Sequence, residues 1–183
     1  RKVQLAGLNV PGVVETKVIS GYFGIGSAAV VVLGADYQSS SALVDNVQAR
    51  LNQIFGAGLG GSAIPAVQVL FDVEIALVTS RVLTTRERQD LERNIRQVMV
   101  NAFRSVDLGG TVSFQNLGLA IREQSRGLLT VRQSAASDVF DKIFARRGYS
   151  NSATSEREEI IADTYSLQDI EYADLGDITF IYG

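Results

Sequence analysis

The positions from Val67 to Val78 alternate in character. Val67, Val69, Phe71, Val73, Ile75 and Leu77 fall on one side, and Gln68, Leu70, Asp72, Glu74, Ala76 and Val78 on the other. A period of two over this length, rich in β-branched and aromatic residues, predicts a half-buried strand with its apolar face inward. The period then changes. Leu91, Ile95, Val98, Met99, Ala102, Phe103 and Val106 recur at steps of three and four, which places them on one stripe of a long helix. Thr84 followed three residues later by Glu87 is a capping-box signature, and Gly109-Gly110 marks the far end. No other stretch commits so clearly to a strand followed by a helix.

The flanks read in the same way. Pro11-Gly12 is a turn, Val13 to Ser20 a strand, and Ser27 to Leu33 a buried strand after the glycine-rich turn Gly21–Gly26. Gly24-Ile-Gly26 does not read as a phosphate loop. That loop needs a strand before its glycines and a helix after them, and here a strand follows. Ser39-Ser-Ser41 supplies a cap for a helix carrying Leu43, Val44, Val47, Leu51 and Ile54, and Gly58, Gly60 and Gly61 predict a loop up to Ile64-Pro65. Beyond Gly110 come a short strand at Thr111 to Phe114, a helix capped by Asn116, and a strand at Leu128 to Arg132.

Asp138 to Gly148 tolerates either helix or strand, with strand preferred. Residues 151–159 are polar and predict an exposed loop or helical turn; Ile160 to Leu167 and Asp177 to Tyr182 are strand-like. The expected fold is therefore α+β: small mixed sheets with helices packed on one face, in one or two sub-domains. Three modules are expected: a hairpin-plus-helix at 1–65, a strand-helix-strand-helix-strand unit at 66–133, and an aromatic-rich β extension at 134–183.

Composition narrows the chemistry. The 183 residues contain neither Cys nor His. That removes thiol and imidazole catalysis, Ser-His-Asp triads and nearly all zinc sites. A net charge of −3 gives the whole chain no electrostatic footprint for nucleic acid. The longest apolar runs are well short of the ~20 residues of a membrane span. The chain begins at Arg1 without Met, which suggests the C-terminal portion of a longer protein.

Three groupings are candidates for function. The acidic cluster Glu156, Glu158, Glu159 and Asp163, with Asp169, Glu171, Asp174 and Asp177 beyond it, offers oxygen ligands but no calcium-loop spacing, so a solvated acidic edge is the preferred reading. Arg146-Arg147 beside this acidity can form ion pairs across a subunit contact or stand at the surface. Phe140, Phe144, Tyr149, Tyr165, Tyr172, Phe180 and Tyr182 concentrate aromatic residues near the C-terminus, a composition shared by interface cores and ordinary cores. No catalytic, cofactor or metal residue is assigned.

Several features in order resemble the C-terminal half of the baseplate J-like family, wedge components of contractile phage tails and related injection systems. They are Pro11-Gly12-Val13 with Gly24-Ile-Gly-Ser-Ala-Ala-Val-Val-Val-Leu-Gly34, the Leu43/Val47/Leu51 helix, the strand Val69–Val78 running into a long helix and Gly109-Gly110, Val112-Ser-Phe-Gln-Asn-Leu-Gly-Leu-Ala-Ile121, and the ending Glu171-Tyr-Ala-Asp-Leu-Gly-Asp-Ile-Thr-Phe-Ile181. Segment 134–168 departs from the pattern. The resemblance implies a structural, non-enzymatic subunit of the virion tail baseplate, assembled in the host cytoplasm without a cofactor. It implies contacts with other wedge proteins and a homodimer, and none with nucleic acid or directly with membrane. The interface residues expected are Phe140, Phe144, Tyr165, Phe180 and Tyr182. Two alternatives remain: a ligand-binding module or enzyme using Asp72, Glu74 and Asp163, and a filament or adhesin module pairing through free strand edges.

Overall fold

A computed structural model describes residues 9–35, 37–55, 61–125, 139–147 and 157–183. The fold is α+β, with three helices and three separate sheets among the described residues. The chain divides into two compact units. One comprises residues 1–67 with 168–171; the other comprises 68–167 with 172–183.

In the first unit, β1 (Val13–Ser20) and β2 (Ala28–Gly34) form an antiparallel hairpin, with Val18 opposite Val30 and Ser20 opposite Ala28. The chain then enters α1 (Ser41–Phe55), where the Ser40 hydroxyl accepts the Leu43 amide hydrogen at 3.2 Å. It returns as β3 (Gly61–Pro65), parallel to β2, so the sheet order is β1-β2-β3. This corrects the loop expected up to Pro65. Five residues with two small side chains and a terminal proline carry no strand period; the partner strand and Gln48 of α1 hold them extended. The Gln48 side chain donates to the Gly61 carbonyl at 3.1 Å and accepts from the Ala63 amide at 2.7 Å. Val30 and Val32 pack against Val47 and Leu51, as the helical spacing demands.

The second unit is built around β4 (Val67–Leu77) and α2 (Thr85–Arg104). The sheet order is β7-β6-β4-β9, with β6 at Phe140–Arg147, β7 at Arg157–Glu159 and β9 at Glu171–Tyr182. β6 runs antiparallel to β4, and β7 antiparallel to β6. Hydrogen bonds from Val67 N to Ile170 O and from Gly183 N to Leu77 O, one at each end, make β9 parallel to β4. Thus β6 and β9, drawn from the stretch that the sequence sets apart as an extension, flank β4 in its own sheet. A two-stranded ribbon pairs β5 (Thr111–Ser113) with β8 (Thr164–Ser166), and α3 (Phe114–Gln124) follows β5 directly.

The core forms where these apolar stripes meet. Val69, Phe71, Val73, Ile75 and Leu77 of β4 face Leu91, Ile95, Met99 and Phe103 of α2, with Phe114, Leu117 and Ile121 from α3. The Phe71 and Phe103 rings stack at 5.1 Å, and Phe114 meets Phe71 edge-on at 5.9 Å. Three local expectations are corrected. Ser113, rather than Asn116, caps α3, because its hydroxyl accepts from the Asn116 amide at 3.3 Å. The described part of the polar stretch 151–159 forms β7, although all three of its residues are exposed. Ile160–Asp163 is not strand; only Thr164–Ser166 of the predicted run is extended in a ladder. Glu156 and Tyr149 of the candidate groupings, and the strand predicted at 128–132, lie outside the described residues.

Candidate functional site

Asp72 departs most from its expected place. It sits on the face of β4 opposite Phe71, yet is only 5 % exposed. Its Oδ1 accepts from Arg146 Nη2 at 2.7 Å and from the Asp177 backbone amide at 2.9 Å, while Arg157 Nε stands 3.7 Å from Oδ2. A buried carboxylate needs this much pairing, since its unpaired charge would cost several kcal/mol. Hydrogen bonding to Asp72 raises the Arg146 pKa above its ordinary value, and the Asp72 and Asp177 charges add to the effect. Gly176 makes the approach feasible: a Cβ there would lie 2.2 Å from Asp72 Oδ1. The cluster therefore ties β6, β7 and β9 to the middle of β4. The sequence signal for it was an acidic residue in the middle of an apolar strand, with Gly176 and Arg146 far away in the chain.

The five residues expected at an interface are all partly buried. Phe140, Tyr165, Phe180 and Tyr182 pack against the core of the second unit. Phe140 meets Phe114 at 6.2 Å, and Tyr165 lies edge-on to Phe71 at 5.3 Å with its hydroxyl accepting from Arg147 Nη2 at 2.8 Å. Tyr182 donates its hydroxyl hydrogen to Glu92 Oε1 at 2.7 Å, beneath the Arg88 guanidinium at 4.2 Å from the ring. Burial raises the Tyr182 pKa, and the hydrogen bond and negative charge of Glu92 raise it further. Phe144 is on the other face of the sheet, opposite Asp72 in register, under the Arg157 guanidinium at 3.8 Å. Phe140, Phe180 and Tyr182 of the four-stranded sheet and Tyr165 of the β5–β8 ribbon thus pack on the core side, and Phe144 lies on the sheet's other face.

The remaining charges are used locally. Asp169 pairs with Lys17 at 2.7 Å, Asp174 accepts from Gln68 at 2.8 Å, and Glu158 stands 4.0 Å from Arg147. Glu171 is buried, and its carboxylate accepts from the Gln168 amide at 2.8 Å. Asp72, Glu74 and Asp163 are not brought together. Asp72 and Glu74 share the outer face of β4, whereas Asp163 precedes β8, where its carbonyl accepts from the Phe114 amide at 2.9 Å.

Two of the cavities among the described residues of the second unit bear on ligand binding. One, about 360 Å³, lies between the end of α2 and the start of α3, and Asp107 is the only ionisable residue lining it among the described residues. The other, about 290 Å³, has Asp141, Lys142, Glu159 and Asp163 in its wall. Among the described residues no group of three His, Cys, Asp or Glu side chains is placed to hold a metal ion. No helix among them is long and apolar enough to cross a membrane. Compared with known proteins, the chain matches no family model and no curated sequence.

Proposed function

We propose that this chain is a structural subunit of a contractile tail baseplate that works through protein–protein contacts with wedge neighbours and with its own copies. The observation that carries the reading is the order of the resembling segments along the sequence. The architecture supports it in one respect. The resembling segments at residues 24–34, 69–78, 112–121 and 171–181 occupy a hairpin arm, the central strand, the β5–α3 corner and the closing strand. All belong to the frame of the molecule. Movement on triggering would then be a rigid-body shift of frames about their interfaces.

A thermal-melt series with Mg²⁺, Ca²⁺ and nucleotides tests the reading against a ligand-dependent one. The structural role predicts an unchanged midpoint with every additive. Stabilisation by several degrees with any one of them contradicts it and points to the cavity walled by Asp141, Glu159 and Asp163.

A further inference from the structure

We infer that the outward face of α2 is a docking surface for an acidic helix of a partner protein. Leu91, Ile95, Met99 and Phe103 bury one stripe of α2 in the core. The opposite stripe is the row Arg86, Asp90, Arg93, Gln97, Val100 and Arg104, in which Val100 is half-buried and the other five are exposed. Arg96 stands beside the row and is exposed too. Four arginines therefore face outward against one carboxylate in the row, in a chain whose net charge is −3. Asp90 accepts from Arg93 at 3.3 Å. Among the described residues no carboxylate pairs with Arg86 or Arg96.

The type of cation is informative. α2 holds five arginines and no lysine. Lysine is the residue of solvated faces, whereas interfaces are enriched in arginine and depleted in lysine. The planar guanidinium offers a carboxylate two parallel hydrogen bonds and gives up water more readily than an ammonium group.

Spacing and charge identify the occupant. The row advances in steps of four and three, the repeat along which two helices lie side by side. At 1.5 Å per residue it is about 27 Å long, the length of a partner helix of about three heptads. The arginines call for Glu or Asp at the facing positions, and Val100 adds one apolar contact. A lipid surface takes a helix whose apolar stripe faces outward, but that stripe of α2 lies in the core. A nucleic-acid backbone would meet Asp90 within the row and a net-negative chain behind it. A second copy in a two-fold contact would set arginine against arginine. Nor do the other described helices of this chain offer the complement: α1 carries one carboxylate, Asp45, and α3 one, Glu123. Exposed ion pairs are individually weak and screened by salt, so the contact depends on several arginines acting together.

The inference names the chemistry of one neighbour in the proposed function and rests on that reading for the neighbour's place. Fluorescence anisotropy of the whole chain with a labelled, alanine-based helical peptide of three heptads tests it. The peptide carries Glu at the two facing positions of each heptad, and companion peptides carry Gln or Lys there. The Glu peptide should bind at least about tenfold more tightly than the Gln peptide at low salt, and added salt should narrow the difference. Arg86→Glu combined with Arg93→Glu should abolish the preference and turn it toward the Lys peptide. Both positions are exposed, and unchanged far-UV circular dichroism checks that the variant folds. Asp90→Asn removes the one opposing charge and should tighten binding of the Glu peptide about twofold. Equal affinity for the Glu and Gln peptides overturns the inference. So does a preference that survives the double reversal, or an Asp90→Asn variant no tighter than the wild type. Tighter binding of a DNA duplex or of phosphatidylserine vesicles than of the Glu peptide, lost in the double variant, makes nucleic acid or lipid the occupant and also overturns it. Each of these failures removes this surface and leaves the structural reading standing, since that reading does not depend on which face a neighbour uses.

Discussion

Asp72 is an acidic residue in the middle of the central strand of the second unit, and its environment makes a specific demand on the residues around it. Replacement by Ala removes the acceptor shared by Arg146 and the Asp177 amide. The Arg146 side chain is 30 % exposed and can rehydrate in part. The expected cost is therefore roughly 2 kcal/mol, below the 3–5 kcal/mol of a fully buried pair. Gly176→Ala puts a methyl group into the same space and should cost about 1–3 kcal/mol. Urea denaturation measures both. A change under about 0.5 kcal/mol for either, the range of an ordinary surface substitution, would mean that the cluster does not hold β9. Tyr172 makes a demand of the opposite sign. Burial, with the negative charge of Asp174, pushes its pKa up to about 12. Because the folded value is raised, its contribution is fully present below the ordinary value of 10 and is lost as pH rises through about 12. Stability of the wild type should fall across that window, and Tyr172→Phe should flatten that part of the profile. The sequence placed Asp72 on a solvent face because alternation was the only signal available. The buried carboxylate depends on partners 74 to 105 positions away, and periodicity does not report such distances.

The elements divide by where their information resides. β4 and α2 were legible because their own residues repeat at 2 and at 3.6, and because the cap of α2 is encoded within four residues. Thr84 Oγ1 accepts from the Glu87 amide at 3.3 Å, and Glu87 Oε2 accepts from the Thr84 amide at 2.9 Å. Arg81 adds an ion pair that no capping pattern announces. Thr84→Ala should cost about 1 kcal/mol, measured by thermal or urea unfolding. Hydrogen bonds from Arg81 and then Thr84 hold the Glu87 carboxyl well below its usual 4.5, at about 2. Since that pKa is depressed, the contribution is complete above pH 4.5 and fades as pH falls through about 2. Amide protection factors at the first turn of α2, exchange rates corrected for the intrinsic pH dependence, should therefore fall over that interval, and Glu87→Gln should remove that fall. β3 and β7 were not legible for a common reason. Each is short and is held by a partner strand, β3 by β2 and Gln48, β7 by β6. Neither has an alternating apolar face of its own. β6 tolerated two readings in isolation, and its pairing with β4 decides for strand by burying Ile143 and Ala145.

On the scale of the whole molecule, the α+β class followed from the order of strand and helix signals. The partition of contacts did not, since residues 168–171 belong with the first 67 and residues 172–183 with the second unit. A chain that passes between units several times hides its boundaries from composition. Four of the five expected contact residues are partly buried against the core of the second unit, and Tyr22, Phe23 and Ile25 stand exposed at the β1–β2 tip. We propose that the chain is a built-in part of a tail baseplate. This is tested most directly by electron cryo-microscopy of intact contractile particles isolated from cells that make this protein. The account predicts density in the baseplate ring that fits the four-stranded sheet with α2 across one face, repeated around the axis. Complete particles whose baseplate is fully accounted for by other chains would contradict it.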